Sequence, residues 1–165
     1  MNIFYRILWK LERNLERGKL NIQKAQFKYC GVDVKIENSC NILGANGFSI
    51  GDNSSLSCNT TVFATFGVTI GKNCLISSNC GISSYNHITN SLDRMSDTDL
   101  DVNYSKPVIV KDNVWVGMNT CILPGVTIGN NAIIGSGSVV TKNVPENQIW
   151  AGNPAKFLKM INFDK

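Results

Sequence analysis

The chain has 165 residues, enough for one domain with its own core but not for two large ones. Apolar residues make up 43% and charged residues 17%, which excludes a disordered chain, and no stretch is apolar for long enough to span a bilayer. The net charge of +4 is uneven: residues 1–28 hold seven Lys/Arg against Glu12 and Glu16, a local +5, so the remainder is −1.

Residues 1–30 read as a basic helical segment. Ile3, Phe4, Ile7, Leu8, Leu11 and Leu15 follow helical spacing, with Arg6, Lys10, Arg13 and Arg17 on other faces. Gly18 is the expected stop. Two roles stay open for this helix: packing on the base of the domain or on a neighbouring subunit, or peripheral contact with an anionic membrane or a lipid-linked substrate. No apolar run with a small-residue cleavage site is present, so a cytoplasmic protein is expected, at most membrane-peripheral. In that compartment the six cysteines are expected as free thiols; none forms a Cys-x-x-Cys pair, and no metal site is indicated.

From residue 31 the period changes to six. Aliphatic anchors fall at Ile36 and Ile42, at Ile50, Leu56 and Val62, and at Ile70, Ile76 and Ile82. After a break they resume at Val110, Val116, Ile122, Ile128, Ile134 and Val140. A small residue usually stands two before the next anchor, as at Cys40, Ser54, Thr60, Cys74, Cys80 and Ser138. Six is neither a helical nor a heptad period, but it is three strand periods. Each hexad therefore reads as a short strand plus a turn, and three hexads close one coil of 18 residues. The predicted fold is all-β: a left-handed parallel β-helix over 31–158, an exception to the right-handed crossover rule, with a C-terminal cap to 165. The slips at 42–50 and 62–70 read as looser corners. Cys40, Cys74 and Cys80 take the small inward position as core filler; Cys30, Cys58 and Cys121 have no assigned role.

The coil breaks once, with a loop extruded at 88–107, and the one histidine, His87, stands at its edge after Tyr85 and Asn86. A loop this long in a compact repeat protein is usually functional. It carries Asp93, Asp97, Asp99 and Asp101 against Arg94 and Lys106.

The stretches Asp112-Asn113-Val114-Trp115-Val116-Gly117, Ile122-Leu123-Pro124-Gly125-Val126-Thr127-Ile128-Gly129, Ile134 to Lys142, and Ala151-Gly152-Asn153-Pro154-Ala155-Lys156 closely resemble the hexapeptide-repeat acetyltransferases. The nearest groups are the galactoside and maltose acetyltransferases and the O-acetyltransferases of bacterial surface polysaccharides; the resemblance covers about 50–158. It implies a homotrimer with active sites between neighbouring coils, acetyl-CoA as donor, a sugar hydroxyl as acceptor, and His87 as general base in a direct transfer. Neither a metal nor a nucleic acid enters that scheme. Motif by motif, it implies cofactor contacts at Trp115, Gly117, Met118, Ser136, Thr141, Lys142 and Lys156, the lysines facing phosphates. Trp115 reads equally well as a cleft wall or as packing. On the acceptor side Ser57 stands where the galactoside enzymes carry an Asn, and Asn59, Tyr85, Asn86 and Asp93 complete the candidate set. That departure leaves the acceptor open, including a streptogramin-type antibiotic or an amino-sugar nucleotide. The γ-type carbonic anhydrases require three histidines and are excluded. A catalytically inert scaffold is the non-enzyme alternative.

Overall fold

The computed structural model describes residues 2–95 and 98–163. Helix α1 (Ile3–Lys24) leads into a parallel β-solenoid of short strands on three sheets. The first sheet stacks Tyr29–Cys30, Phe48–Ile50, Val68–Ile70, Val108–Val110 and Thr127–Ile128. The second stacks Lys35–Ile36, Ser55–Leu56, Leu75–Ile76, Trp115–Val116, Ile133–Ile134 and Gln148–Ala151, closed by the antiparallel strand Lys156–Met160. The third stacks Asn41–Leu43, Thr61–Phe63, Gly81–Ser83, Cys121–Ile122 and Val139–Val140.

All fourteen six-period anchors are buried and stack along the interior, as in the register Leu56–Ile76–Val116–Ile134. Where the small inward residue carries a thiol or hydroxyl it can do more than fill the corner, by donating to a carbonyl of the next coil. Cys74 Sγ reaches Lys111 O at 3.0 Å, Ser54 Oγ reaches Gly71 O at 2.7 Å, and Thr60 Oγ1 reaches Ser77 O at 3.1 Å. A corner interrupts the sheet ladder, and a buried carbonyl left unpaired there would cost about 1–3 kcal/mol. Cysteine, serine and threonine serve alike where they stand because each is small and can donate, whereas Val114, Val126 and Ala132 fill the same position without a donor.

The corners themselves are set by left-handed residues. Asn53, Asn73, Asn113, Asn131 and Asn147 stack on the edge between the first and second sheets, all with φ between 55° and 60°. Their amides form a ladder, Asn113 Nδ2 donating to Asn131 Oδ1 at 3.0 Å and Asn131 Nδ2 to Asn147 Oδ1 at 2.7 Å. Asparagine tolerates this backbone region better than other side-chain-bearing residues.

Every insertion falls on the third edge, between the third and first sheets. Ile50 pairs with Ile70 and Ile70 with Val110, whereas Val110 pairs with Ile128 only 18 residues on. The two early slips are therefore enlarged corners, at Gly44–Gly47 and Ala64–Gly67, and the long loop is the same corner enlarged further. Its base is stapled: Lys106 N donates to Ser84 O at 3.0 Å and Asn86 N to Ser105 Oγ at 3.0 Å, so the coil continues without a gap.

Helix α1 does not stop at Gly18 but continues to Lys24. A Cβ at Gly18 would meet nothing within 4 Å, so the glycine brings only its intrinsic penalty of about 1 kcal/mol relative to Ala. Beyond it Leu20 packs on the core and Gln23 Nε2 donates to Ile42 O at 2.9 Å, contacts that outweigh the penalty. After the helix, Phe27 closes the base of the coil edge-on against Phe48, with centroids 4.9 Å apart. The first strand, Tyr29–Cys30, already belongs to the coil.

Candidate active site

The loop is ordered around one carboxylate. A short 3₁₀ helix, Thr98–Asn103, carries Asp101 back to the root of the loop, where only 1% of its side chain is exposed. Asp101 Oδ2 accepts from the Tyr85 hydroxyl at 2.6 Å and lies 2.8 Å from His87 Nδ1; Oδ1 accepts from Ile88 N at 2.8 Å. The turn is held as well, because Asp101 O accepts from Ser105 N at 3.0 Å and from Ser105 Oγ at 2.9 Å. The Tyr85 hydroxyl is the main cause of a carboxyl pKa below the usual range, helped by Ile88 N–H and by His87. The same hydrogen bond, with burial, pushes the Tyr85 phenol above its usual value.

An ionised carboxylate can only accept, so His87 Nδ1 is the donor of this pair, and in the neutral imidazole the lone pair is on Nε2. The ring stands edge-on to Tyr85 at 4.9 Å, and Tyr85 in turn lies 5.7 Å from Phe66 on the enlarged corner below. His87 is 59% exposed, and among the described residues Nε2 has no protein partner. The cluster is thus a fixed imidazole with its basic nitrogen towards open space.

The other candidate residues divide among distinct places. Asn86 turns back on the backbone, its Oδ1 accepting from His87 N at 3.1 Å. Asp93 is exposed on the outer loop, Asp101 being the acid that reaches His87; Asp97 lies outside the described residues. Ser57 and Asn59 sit on the second edge, between the second and third sheets, away from the loop root. Asn59 has φ 58°, so its conformation serves the corner.

Trp115, Gly117, Met118 and Ser136 also gather at the second edge. Trp115, 49% exposed, lies along the second sheet with Nε1 donating to Ser77 Oγ at 3.3 Å. A Cβ on Gly117 would lie 2.6 Å from Ser136 N, so glycine is needed there for the coils to stack. Met118 is exposed beside Ser136, its carbonyl accepting from Gly137 N at 2.7 Å. Thr141 and Lys142 belong instead to the third edge, above His87. With Lys156, Trp150, Ala155 and Phe157 they line a cleft of about 300 Å³. Two ammonium groups beside aromatic walls fit a phosphate-bearing ligand with a planar ring.

Asp101 was one of four aspartates in a segment without periodicity, and nothing in its neighbours marks it out. Only the three-dimensional return of the 3₁₀ turn identifies it.

Coil and site together define a class: hexapeptide solenoid proteins with a carboxylate-held histidine on an extruded corner. Two family models match the chain, the bacterial transferase hexapeptide (six repeats) over residues 107–142 and the hexapeptide repeat of succinyl-transferase over 67–84. The galactoside O-acetyltransferase of Escherichia coli K12 is 35% identical over 140 residues, covering 84% of this chain and 66% of that protein. The crystal structure of a maltose O-acetyltransferase from Clostridium difficile 630 superposes with a TM-score of 0.73 at 30% identity, covering 87% of this chain and 74% of the other. A galactoside acetyltransferase in complex with coenzyme A gives 0.70 at 33% identity, covering 86% and 69%. The chain belongs to the hexapeptide-repeat acetyltransferase family. It spans just under two thirds of the length of the Escherichia coli relative.

Proposed function

We propose that the chain transfers an acetyl group from acetyl-CoA to a hydroxyl of a saccharide, a surface polysaccharide or its precursor, with His87 as general base. The observation that carries this reading is the Asp101–His87 pair. A buried carboxylate fixes the imidazole tautomer, and Nε2 faces open space. Nε2 would take the proton of the acceptor hydroxyl as its oxygen attacks the thioester carbonyl, then return it to the departing sulfur. General-base catalysis of this kind contributes roughly 10²–10⁴-fold. Asp101 acts through His87 as a positioning residue and stabilises the imidazolium formed in the step. Coenzyme A-bound relatives and the lysine cleft support acetyl-CoA as donor, with Lys142 and Lys156 on its phosphates.

The division of the candidates between two edges supports a homotrimer. His87 and Lys142 lie on the third edge, Trp115, Met118 and Ser136 on the second, and the third sheet separates them within one chain. A neighbouring coil would bring the second edge of one copy against the third edge of the next, together with Ser57 and Asn59.

Thiol release from acetyl-CoA, measured against a panel of free sugars, sugar nucleotides and oligosaccharides, tests the reading, with mass spectrometry of the products. The expected product is a hydroxylamine-sensitive O-acetyl ester. Acetyl-CoA binding without turnover of any saccharide, or an amide product, would contradict it.

A further inference from the structure

Helix α1 meets the coil along one side only. Leu20 packs on the core, Gln23 and Lys24 donate to Ile42 O and Val34 O at 2.9 and 3.1 Å, and Glu16 Oε2 accepts from Asn38 Nδ2 at 3.0 Å. At 3.6 residues per turn these four share one sector of about 100°. Phe4, Ile7, Leu8, Leu11, Leu15 and Ile22 occupy the opposite sector, and all are exposed; Leu15 and Ile22 reach 67% and 66%. The helix has therefore turned its continuous apolar stripe away from its own coil. A helix that only capped the coil would bury that stripe and expose Glu16 and Gln23.

The borders of the stripe say what covers it. On one side of the stripe the cations Lys10 and Arg6 run round towards the coil; on the other Lys19 stands next to Glu12, and Glu16 faces the coil. Arg13, beside Arg6 around the helix, stacks over Trp9 at 4.6 Å on the side away from the stripe. Pairing with a second copy of the stripe would bring together two segments that each carry a charge of +5. Anionic headgroups would instead meet the cations while acyl chains took the apolar side. Among the described residues no helix is long and apolar enough to cross a membrane, so a position in the plane of the surface is the one this helix fits.

We propose that α1 is a surface anchor for anionic phospholipid, holding the base of the coil at a membrane. The proposal is independent of the acceptor and stands whether or not the acceptor is lipid-linked.

Co-sedimentation of the full chain with vesicles tests it, using phosphatidylcholine alone and phosphatidylcholine mixed in equal parts with phosphatidylglycerol. The chain is expected to bind the mixed vesicles only and to be released by salt, as the screening length falls from about 10 Å at 0.1 M to about 3 Å at 1 M. Arg6→Gln and Lys10→Gln should each weaken binding by roughly fivefold. The pair Ile7→Ser with Leu11→Ser should abolish binding; it touches neither the coil nor the candidate site, so circular dichroism of the coil should be unchanged. Failure to bind the mixed vesicles at low salt, or equal binding to both compositions, would overturn the proposal. So would a lower sedimentation-velocity mass for the Ile7→Ser, Leu11→Ser variant with vesicle binding intact, because a second copy would then be what covers the stripe.

Discussion

The coil and the loop on its third edge satisfy their polar groups in opposite ways. In the coil each residue is held by the equivalent residue one turn away, and the pattern repeats through every turn. Ile, Leu and Val exchange freely at the anchors, and small residues (Cys, Ser, Thr, Val, Ala) at the corners, because the position sets the requirement. In the loop one carboxylate gathers Tyr85, His87 and Ile88, and among the described residues no other carboxylate does the same. Stability in the coil is distributed over many repeats, while chemistry in the loop is concentrated in a single cluster. Both grow from one edge, where the coil already admits extra residues at Gly44–Gly47 and Ala64–Gly67.

If that contrast is right, damage to the coil should appear as lost stability. Ile76 is fully buried and sits between Leu56 and Val116. Ile76→Ala should cost about 2–5 kcal/mol, read from chemical denaturation, with kcat per folded molecule nearly unchanged. An equal loss of kcat at low denaturant would show that the coil and the site are not separable.

A smaller effect is expected at the corners. Asn131 has φ 60° and a place in the amide ladder. Asn131→Ala should cost about 1–2 kcal/mol through its backbone, while Asn131→Gly should cost much less. Equal costs would assign the stability to the ladder instead of the φ angle.

The loop should respond to pH where the coil does not. The Asp101 pKa is depressed in the folded chain, chiefly by Tyr85, so its contribution is present above the ordinary carboxylate range and is lost as pH falls through the depressed value. The Tyr85 pKa is raised, so its contribution is present below the ordinary tyrosine value and is lost as pH rises through the raised one. Protection of the Ile88 and Ser105 amides against exchange, relative to free peptide, should be greatest between those limits, and Asp101→Asn should remove the acid limb. A protection profile unchanged by Asp101→Asn would detach the loop from its carboxylate.

The coil was legible in the sequence because six-residue periodicity leaves an anchor no other place than the interior, as Ile36 to Val140 show. His87 was legible because it is the one histidine and stands where the period fails. Asp101 was not, since its position depends on a 3₁₀ turn and a contact across the loop root that no spacing rule encodes. Asn59 shows the converse difficulty: its left-handed φ is reason enough for asparagine at that corner, so its residue type does not tell a ligand contact from a turn. The length of α1 was hidden by Gly18, whose penalty is overridden by the docking of Leu20 and Gln23.

Whether Asp101 acts through His87 is decided by a double-mutant cycle on the acetyl-transfer rate. His87→Ala should lower kcat by roughly 10²–10⁴-fold, and Asp101→Asn should lower it in the parent chain. In the His87→Ala background Asp101→Asn should cost almost nothing more, because its partner has gone. The same fold-loss in both backgrounds would show that the two residues act independently and would contradict the account.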